Sequence, residues 1–186
     1  MTPAVFLDRD GTINVDKEYG CSIDECEYLD GALEALRELN QMGFMLIIVT
    51  NQSGIARGYF TEDDYLRFMQ WMLEDLNDKG ISIAGQYYCP HLPGATVKKY
   101  DMVCTCRKPA TDLFYKAVKD KDIDLDHSFA VGDRLRDLAI CNSTQVKGIL
   151  LGENSENAEF DFPYVRCVNW NEALKYIKCE VLKHSV

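Results

Sequence analysis

Short apolar runs alternate with amphipathic stretches along almost the whole chain, and this alternation constrains the fold more than any other feature. Ala4-Val5-Phe6-Leu7 reads as a buried strand, and Leu33, Leu36 and Leu39 then repeat at helical spacing up to Gly43. Residues 44–49, ending in Ile47-Ile48-Val49, form the clearest strand. Thr61 suits a helix N-cap, with acidic residues in the first turn of a helix that runs to about Lys79. A short strand is expected at 86–88, a helix at 111–121, a strand at 128–131 and a helix at about 135–141. A strand at 147–151, an edge strand at 165–168 and a last helix at 171–182 complete the pattern. Strand–helix alternation at this spacing predicts an α/β fold around a mostly parallel sheet, whose ligands bind beyond the carboxyl ends of the strands.

With 186 residues the expectation is one domain spanning residues 1–186. No apolar run approaches the roughly 20 residues of a membrane helix. The start, Met-Thr-Pro-Ala, lacks the basic segment and long apolar core of a signal peptide, so a cytoplasmic location is expected. The net charge of -10 argues against bulk binding to nucleic acid or anionic membrane. An anionic substrate therefore needs a local positive site or a bound cation. No long apolar edge or heptad stands out, and a monomer acting on a small metabolite is expected.

Polar clusters follow the strands. Asp8-Arg9-Asp10-Gly11-Thr12 puts two carboxylates at a strand end, where they can hold Mg²⁺, attack as a nucleophile, or simply form an acidic turn. Thr50-Asn51-Gln52-Ser53-Gly54 offers hydroxyls, amides and backbone N–H groups to phosphate oxygens, or is an ordinary polar loop. Arg107-Lys108-Pro109 can neutralise carboxylates or grip phosphate, or is a solvated basic pair. Gly132-Asp133-Arg134 can complete a metal site or cap a helix, and Asp137 can face the same pocket or favour the helix N-terminus.

Each cluster is a modest signal alone. Their order, Asp-x-Asp, Thr, Lys, Asp, each on a strand end of one alternating fold, resembles the haloacid dehalogenase superfamily of phosphotransferases. The resemblance implies that Asp8 attacks phosphorus and that Asp10 acts as acid and then base. It implies that Thr50 and Lys108 hold the transferring oxygens, and that Asp8, the Asp10 carbonyl and Asp133 bind Mg²⁺. The expected architecture is a single Rossmann-like parallel sheet flanked by helices, without a large cap domain.

Eight cysteines without an export signal turn attention to metal ligation. Cys89-Pro90-His91 and Cys104-Thr105-Cys106 supply three thiolates and an imidazole, a closed Zn²⁺ set; buried free thiols and a chance histidine are the alternative. The segment between them has few apolar residues to hold its shape, and it leads directly to Lys108. A zinc loop at about 89–106 would therefore be structural. Such a loop before Arg-Lys-Pro resembles two groups within the superfamily, phosphatases of heptose 1,7-bisphosphate and of histidinol phosphate. Asn51 to Gly58 is more similar to the heptose group, and Arg57 and Arg107 suit a second phosphate. By that resemblance Asp16, Lys17, Glu18, Tyr19, Asn51, Gln52 and Ser53 line the substrate pocket. One departure is Ala110-Thr111-Asp112, where the heptose group continues with Pro-Gly; Asp112 either lies near the pocket entrance or caps the next helix. Cys141 and Cys179 read as small core residues, and His127 and His184 as surface histidines.

Overall fold

A computed structural model describes residues 1–17, 20–152 and 161–183. Six strands form one sheet: β1 (Thr2–Leu7), β2 (Met45–Asn51), β3 (Ile83–Cys89), β4 (Ile123–Gly132), β5 (Lys147–Leu151) and β6 (Tyr164–Cys167). Their order is β3-β2-β1-β4-β5-β6, and every pairing is parallel. This is the Rossmann arrangement. The chain builds outward from β1 to β3, crosses back, and builds outward again from β4, so the strand order reverses between β1 and β4.

Period-two alternation explains why both faces need cover. Val5 and Leu7 of β1, with Leu46 and Ile48 of β2, enter one core. Ala4 and Phe6, with Ile47 and Val49, enter the other. The first core is covered by α1 (Ala32–Gln41), α2 (Ser53–Arg57), α3 (Glu62–Asp78) and α5 (Trp170–Lys183). The second is covered by α4 (Asp112–Lys121) and a 3₁₀ segment, Leu135–Asn142. The tips of β1 and β4 lie between these layers.

Local signals act as expected at several boundaries. Thr61 caps α3 through a reciprocal box, its side chain accepting from the Asp64 N–H while the Asp64 carboxylate accepts from the Thr61 N–H. Other elements depart from the periodicity. The segment after β4 is 3₁₀ rather than α, and Asp137 folds back at its start to accept from the Arg134 N–H. Strand β3 runs from Ile83, longer than its apolar residues suggest, since Ile83, Gly85 and Gln86 still pair with β2 across a register shift at Ala84. β4 starts at Ile123 and reaches its tip through an irregular register against β1. Cys141 is buried, whereas Cys179 is exposed on the outer face of α5. The segments after β1 and β3 are loops with one 3₁₀ turn each, Ile23–Glu25 and Lys98–Tyr100, and contain no inserted cap domain among the described residues. Among the described residues, no helix is long and apolar enough to cross a membrane.

Candidate active site

Asp8 is the first residue past β1, and its N–H donates to Val131 O at the end of β4. Asp133 is the first residue past β4. The two carboxylates thus stand on adjacent strand tips at the point where strand order reverses. Gly11, with φ 78°, turns the chain between them, and a Cβ there would come within 2.7 Å of the Asp133 carboxyl. A Cβ on Gly132 would likewise lie 2.3 Å from Cβ of Asp137, so a glycine lets Asp137 fold in beside Asp133.

Lys108 enters this floor from the loop after β3. Its Nζ donates to Asp8 Oδ1 at 2.8 Å and to Val49 O at 2.7 Å, and pairs with Asp137 Oδ1 at 2.7 Å. The lysine side chain is only 1% exposed. Its backbone is held by Asn51, whose Nδ2 donates to Lys108 O and whose Oδ1 accepts from Lys108 N, both at 3.0 Å. Asn51 therefore spends both ends of its amide on positioning the lysine.

Asp10 is held differently. Arg9 donates from Nε and Nη2 to its carboxylate at 2.8–3.0 Å, Asn14 Nδ2 adds a bond of 3.0 Å, and Gln52 Nε2 one of 2.9 Å. Arg9 itself is buried, its guanidinium against the rings of Tyr65 and Phe68. Gln52 also donates to Thr50 Oγ1 at 3.0 Å, which ties the tip of β2 to Asp10.

The electrostatics follow from burial. Burial pushes Asp8 up to about 6 against the opposing pull of Lys108, with Asp137 and Asp10 adding to the rise. Asp133 is pushed up to about 7, first by burial and then by Asp137 and Asp8. Asp8, Asp133 and Asp137 each offer an oxygen within 4.8 Å of the others. Three carboxylates meet around one ammonium, with Arg134 at 3.7 Å from Asp133, in a confined oxygen-rich cluster. That is the donor set a hard divalent cation such as Mg²⁺ requires.

Above the floor opens a cavity of about 530 Å³, lined by Asp8, Asp10, Asp16, Asn51, Gln52, Ser53, Gly54 and Asp133, and by the arginines 57, 107, 134 and 136. The expected residues Asp16, Gln52, Ser53, Arg57 and Arg107 thus converge. Lys17 does not: its Nζ pairs with Glu27 at 3.2 Å, because the Val15 N–H bonds to Glu27 O and lays the two segments side by side. Glu18, Tyr19 and His184 lie outside the described residues. Asp112 is the first residue of α4, away from the cavity lining. His127 pairs with Asp124 at 2.8 Å on the surface. The sequence reading did not select Arg134 or Arg136, and it left Asp137 open; the run Arg-Leu-Arg-Asp directly after Asp133 was the available signal.

Cys89, His91, Cys104 and Cys106 meet beside the pocket. The Cys89, Cys104 and Cys106 sulfurs lie 3.2–3.6 Å apart. His91 Nδ1 is 3.7 Å from the Cys89 sulfur and 3.2 Å from that of Cys106. A tetrahedron with Zn–S bonds of 2.3 Å has edges of about 3.8 Å, so the set fits zinc after a small outward adjustment. Arg107 Nη1 donates to His91 O at 3.3 Å, which links the cluster to the pocket wall.

A Rossmann-ordered sheet with Asp8 and Asp133 at its switch point, and with Thr50 and Lys108 on the neighbouring strand end and loop, has the architecture of a haloacid dehalogenase-type phosphatase. The family model for polynucleotide kinase 3 phosphatase matches residues 5–147. The D-glycero-beta-D-manno-heptose-1,7-bisphosphate 7-phosphatase of Photorhabdus laumondii is 49% identical over 136 residues, 73% of this chain and 72% of the relative. The D,D-heptose 1,7-bisphosphate phosphatase of B. bronchiseptica, solved with magnesium and phosphate, superposes with a TM-score of 0.78 at 29% identity, covering 97% of this chain and 99% of that one. A haloacid dehalogenase-like protein from Mesorhizobium loti gives a TM-score of 0.81 at 31% identity, over 96% and 87% of the two chains. The chain belongs to this family of haloacid dehalogenase-type phosphatases, enzymes that hydrolyse phosphate monoesters.

Proposed function

We propose that the enzyme removes the 7-phosphate of D-glycero-D-manno-heptose 1,7-bisphosphate through an aspartyl-phosphate on Asp8. The observation that carries the reading is that four arginines, 57, 107, 134 and 136, line the same cavity as Asp8 and Asp133 in a chain of net charge -10. Such a concentration of cationic side chains suits a substrate with more than one phosphate. The names of the similar phosphatases support the same substrate.

Asp8 attacks phosphorus in line, and the bond to the sugar oxygen breaks. Asp10 gives the leaving oxygen a proton, then takes one from the water that hydrolyses the aspartyl-phosphate. Lys108 and Thr50 hold the phosphoryl oxygens and offset their charge. Bound by Asp8, Asp133 and the Asp10 carbonyl, Mg²⁺ would supply the charge neutralisation that lets a carboxylate approach a phosphate dianion. Gln52 and Arg9 keep the Asp10 carboxylate oriented towards the pocket wall through the bonds described above. A structural zinc on Cys89, His91, Cys104 and Cys106 would brace Arg107 and Lys108. In this reading residues 1–186 act as one catalytic domain, a cytoplasmic monomer whose free thiols suit a reducing compartment.

The test is phosphate release from heptose 1,7-bisphosphate and from histidinol phosphate, side by side with Mg²⁺. A preference for the bisphosphate of about 100-fold in kcat/KM, about 2.7 kcal/mol of differential transition-state binding, is expected. Equal or reversed values refute the substrate. Asp8→Asn should abolish turnover with the fold retained; activity within about tenfold of the parent sinks the covalent mechanism.

A further inference from the structure

The turn at residues 9–14 carries Asp10, and its backbone bonds are largely internal. Arg9 O accepts from the N–H groups of Thr12, Ile13 and Asn14 at 2.8–3.3 Å, and the Gly11 N–H donates to Asn14 O at 2.7 Å. Such bonds hold the shape of the turn, not its place against the sheet. Thr12 O takes a partner from a separate element: the indole Nε1 of Trp170, the first residue of α5, donates to it at 2.7 Å. Trp170 and Thr12 are both fully buried. The Thr12 hydroxyl makes no hydrogen bond among the described residues, so the side chain adds no second anchor. The donor itself is well fixed. Asn169 Oδ1 accepts from the Glu172 N–H at 3.1 Å and the Glu172 carboxylate from the Val168 N–H at 2.9 Å, which closes the start of α5. Gly11, between Asp10 and Thr12, has no room to spare against the Asp133 carboxyl. A turn released at Thr12 therefore moves Asp10 relative to Asp8. A shift of about 1 Å in a catalytic group can cost on the order of 100-fold in rate.

We propose that Trp170 is a positioning residue whose indole N–H pins the Asp10 turn, so that α5 sets the geometry of proton transfer without touching substrate. This rests on the reading of Asp10 as the acid that protonates the leaving oxygen. When an alkyl ester is cleaved, the P–O electron pair goes to an alkoxide oxygen, which needs the Asp10 proton. When 4-nitrophenyl phosphate is cleaved, the pair leaves on a stabilised phenolate that needs none.

The experiment measures kcat/KM, which reports the step that forms the aspartyl-phosphate, on two esters. One is 4-nitrophenyl phosphate; the other is the better alkyl substrate of heptose 1,7-bisphosphate and histidinol phosphate. W170F keeps an aromatic ring and loses the donor. Its kcat/KM should fall about 10- to 100-fold on the alkyl ester and stay within threefold on the nitrophenyl ester. A loss of folded enzyme lowers both values equally and leaves their ratio unchanged. An alkyl-to-nitrophenyl ratio in W170F within threefold of the parent's, or above it, overturns the proposal. Benzothienylalanine at 170 in a W71F chain puts sulfur in place of the N–H at nearly unchanged shape. It should show the same split relative to W71F itself, and a parent-like ratio there overturns the assignment to the hydrogen bond. D10N, read from its first turnover, should show the split at full size. Equal losses on both esters in D10N overturn the acid role of Asp10, and the proposal with it.

Discussion

Replacing Lys108 with methionine keeps an apolar stem of similar length and removes the ammonium. That ammonium lies 2.8 Å from Asp8 Oδ1, 2.7 Å from Asp137 Oδ1 and 2.7 Å from Val49 O, and the side chain is 1% exposed. Breaking a buried pair by removing one partner costs about 3–5 kcal/mol, because the remaining charge stays buried. For 186 residues, at about 2.1 cal/mol/K of unfolding entropy per residue, this lowers Tm by about 8–13 °C. The loss has a sign in pH. Asp8 is already raised to about 6 with the ammonium beside it, and without the ammonium it rises further. A carboxyl whose folded pKa exceeds its unfolded value binds its proton more tightly in the folded state. It therefore costs stability as pH rises from about 4 to the folded pKa, and returns that stability as pH falls. The gap in Tm between parent and Lys108→Met should be widest near pH 8 and narrow towards pH 5. Thermal unfolding in magnesium-free buffer reads it directly. A gap that is independent of pH, or under 2 °C throughout, refutes the role of Lys108 as counter-ion to this floor.

Two further predictions concern metals. Asp8 and Asp133, raised to about 6 and about 7, must lose their protons before they ligate, so the stabilisation by Mg²⁺ should grow steeply between about pH 5.5 and 7.5. Thermal shifts at a fixed Mg²⁺ concentration measure this, and equal shifts at both ends contradict the assignment of these carboxylates as ligands. Cys104→Ser should release zinc and lower stability, because the loop at 90–106 has few buried apolar anchors, Pro90, Ala95 and Tyr100, with Leu92 and Val97 only partly buried. Elemental analysis that finds no zinc in the parent protein removes the site altogether.

The site was legible in the sequence wherever a short segment carries its own signal. The apolar runs ending at Leu7, Val49 and Val131 fixed where the strands stop, and Asp8, Thr50 and Asp133 stand at or near those ends. Cys89 and His91 with Cys104 and Cys106 pointed to four side chains that could hold a metal, and these meet in the structure, while the Thr61–Asp64 box declared a helix start.

What the sequence left open are partnerships between distant segments. Asp137 read equally well as a helix-favouring acid, yet it folds under Gly132 to meet Lys108 from another loop. Arg9 stands beside Asp10 in the chain without a role of its own in the sequence pattern, but α3 brings Tyr65 and Phe68 over it and turns it into a buried clamp. Lys17 read as a pocket residue and is drawn aside by Glu27, while Arg134 and Arg136 enter the pocket unannounced. Strand ends follow from local hydrophobic periodicity, which the sequence carries outright. Which charges face one another depends on strand order and on the fold of the loops after each strand, and these are decided only when the two halves of the sheet join along β1 and β4.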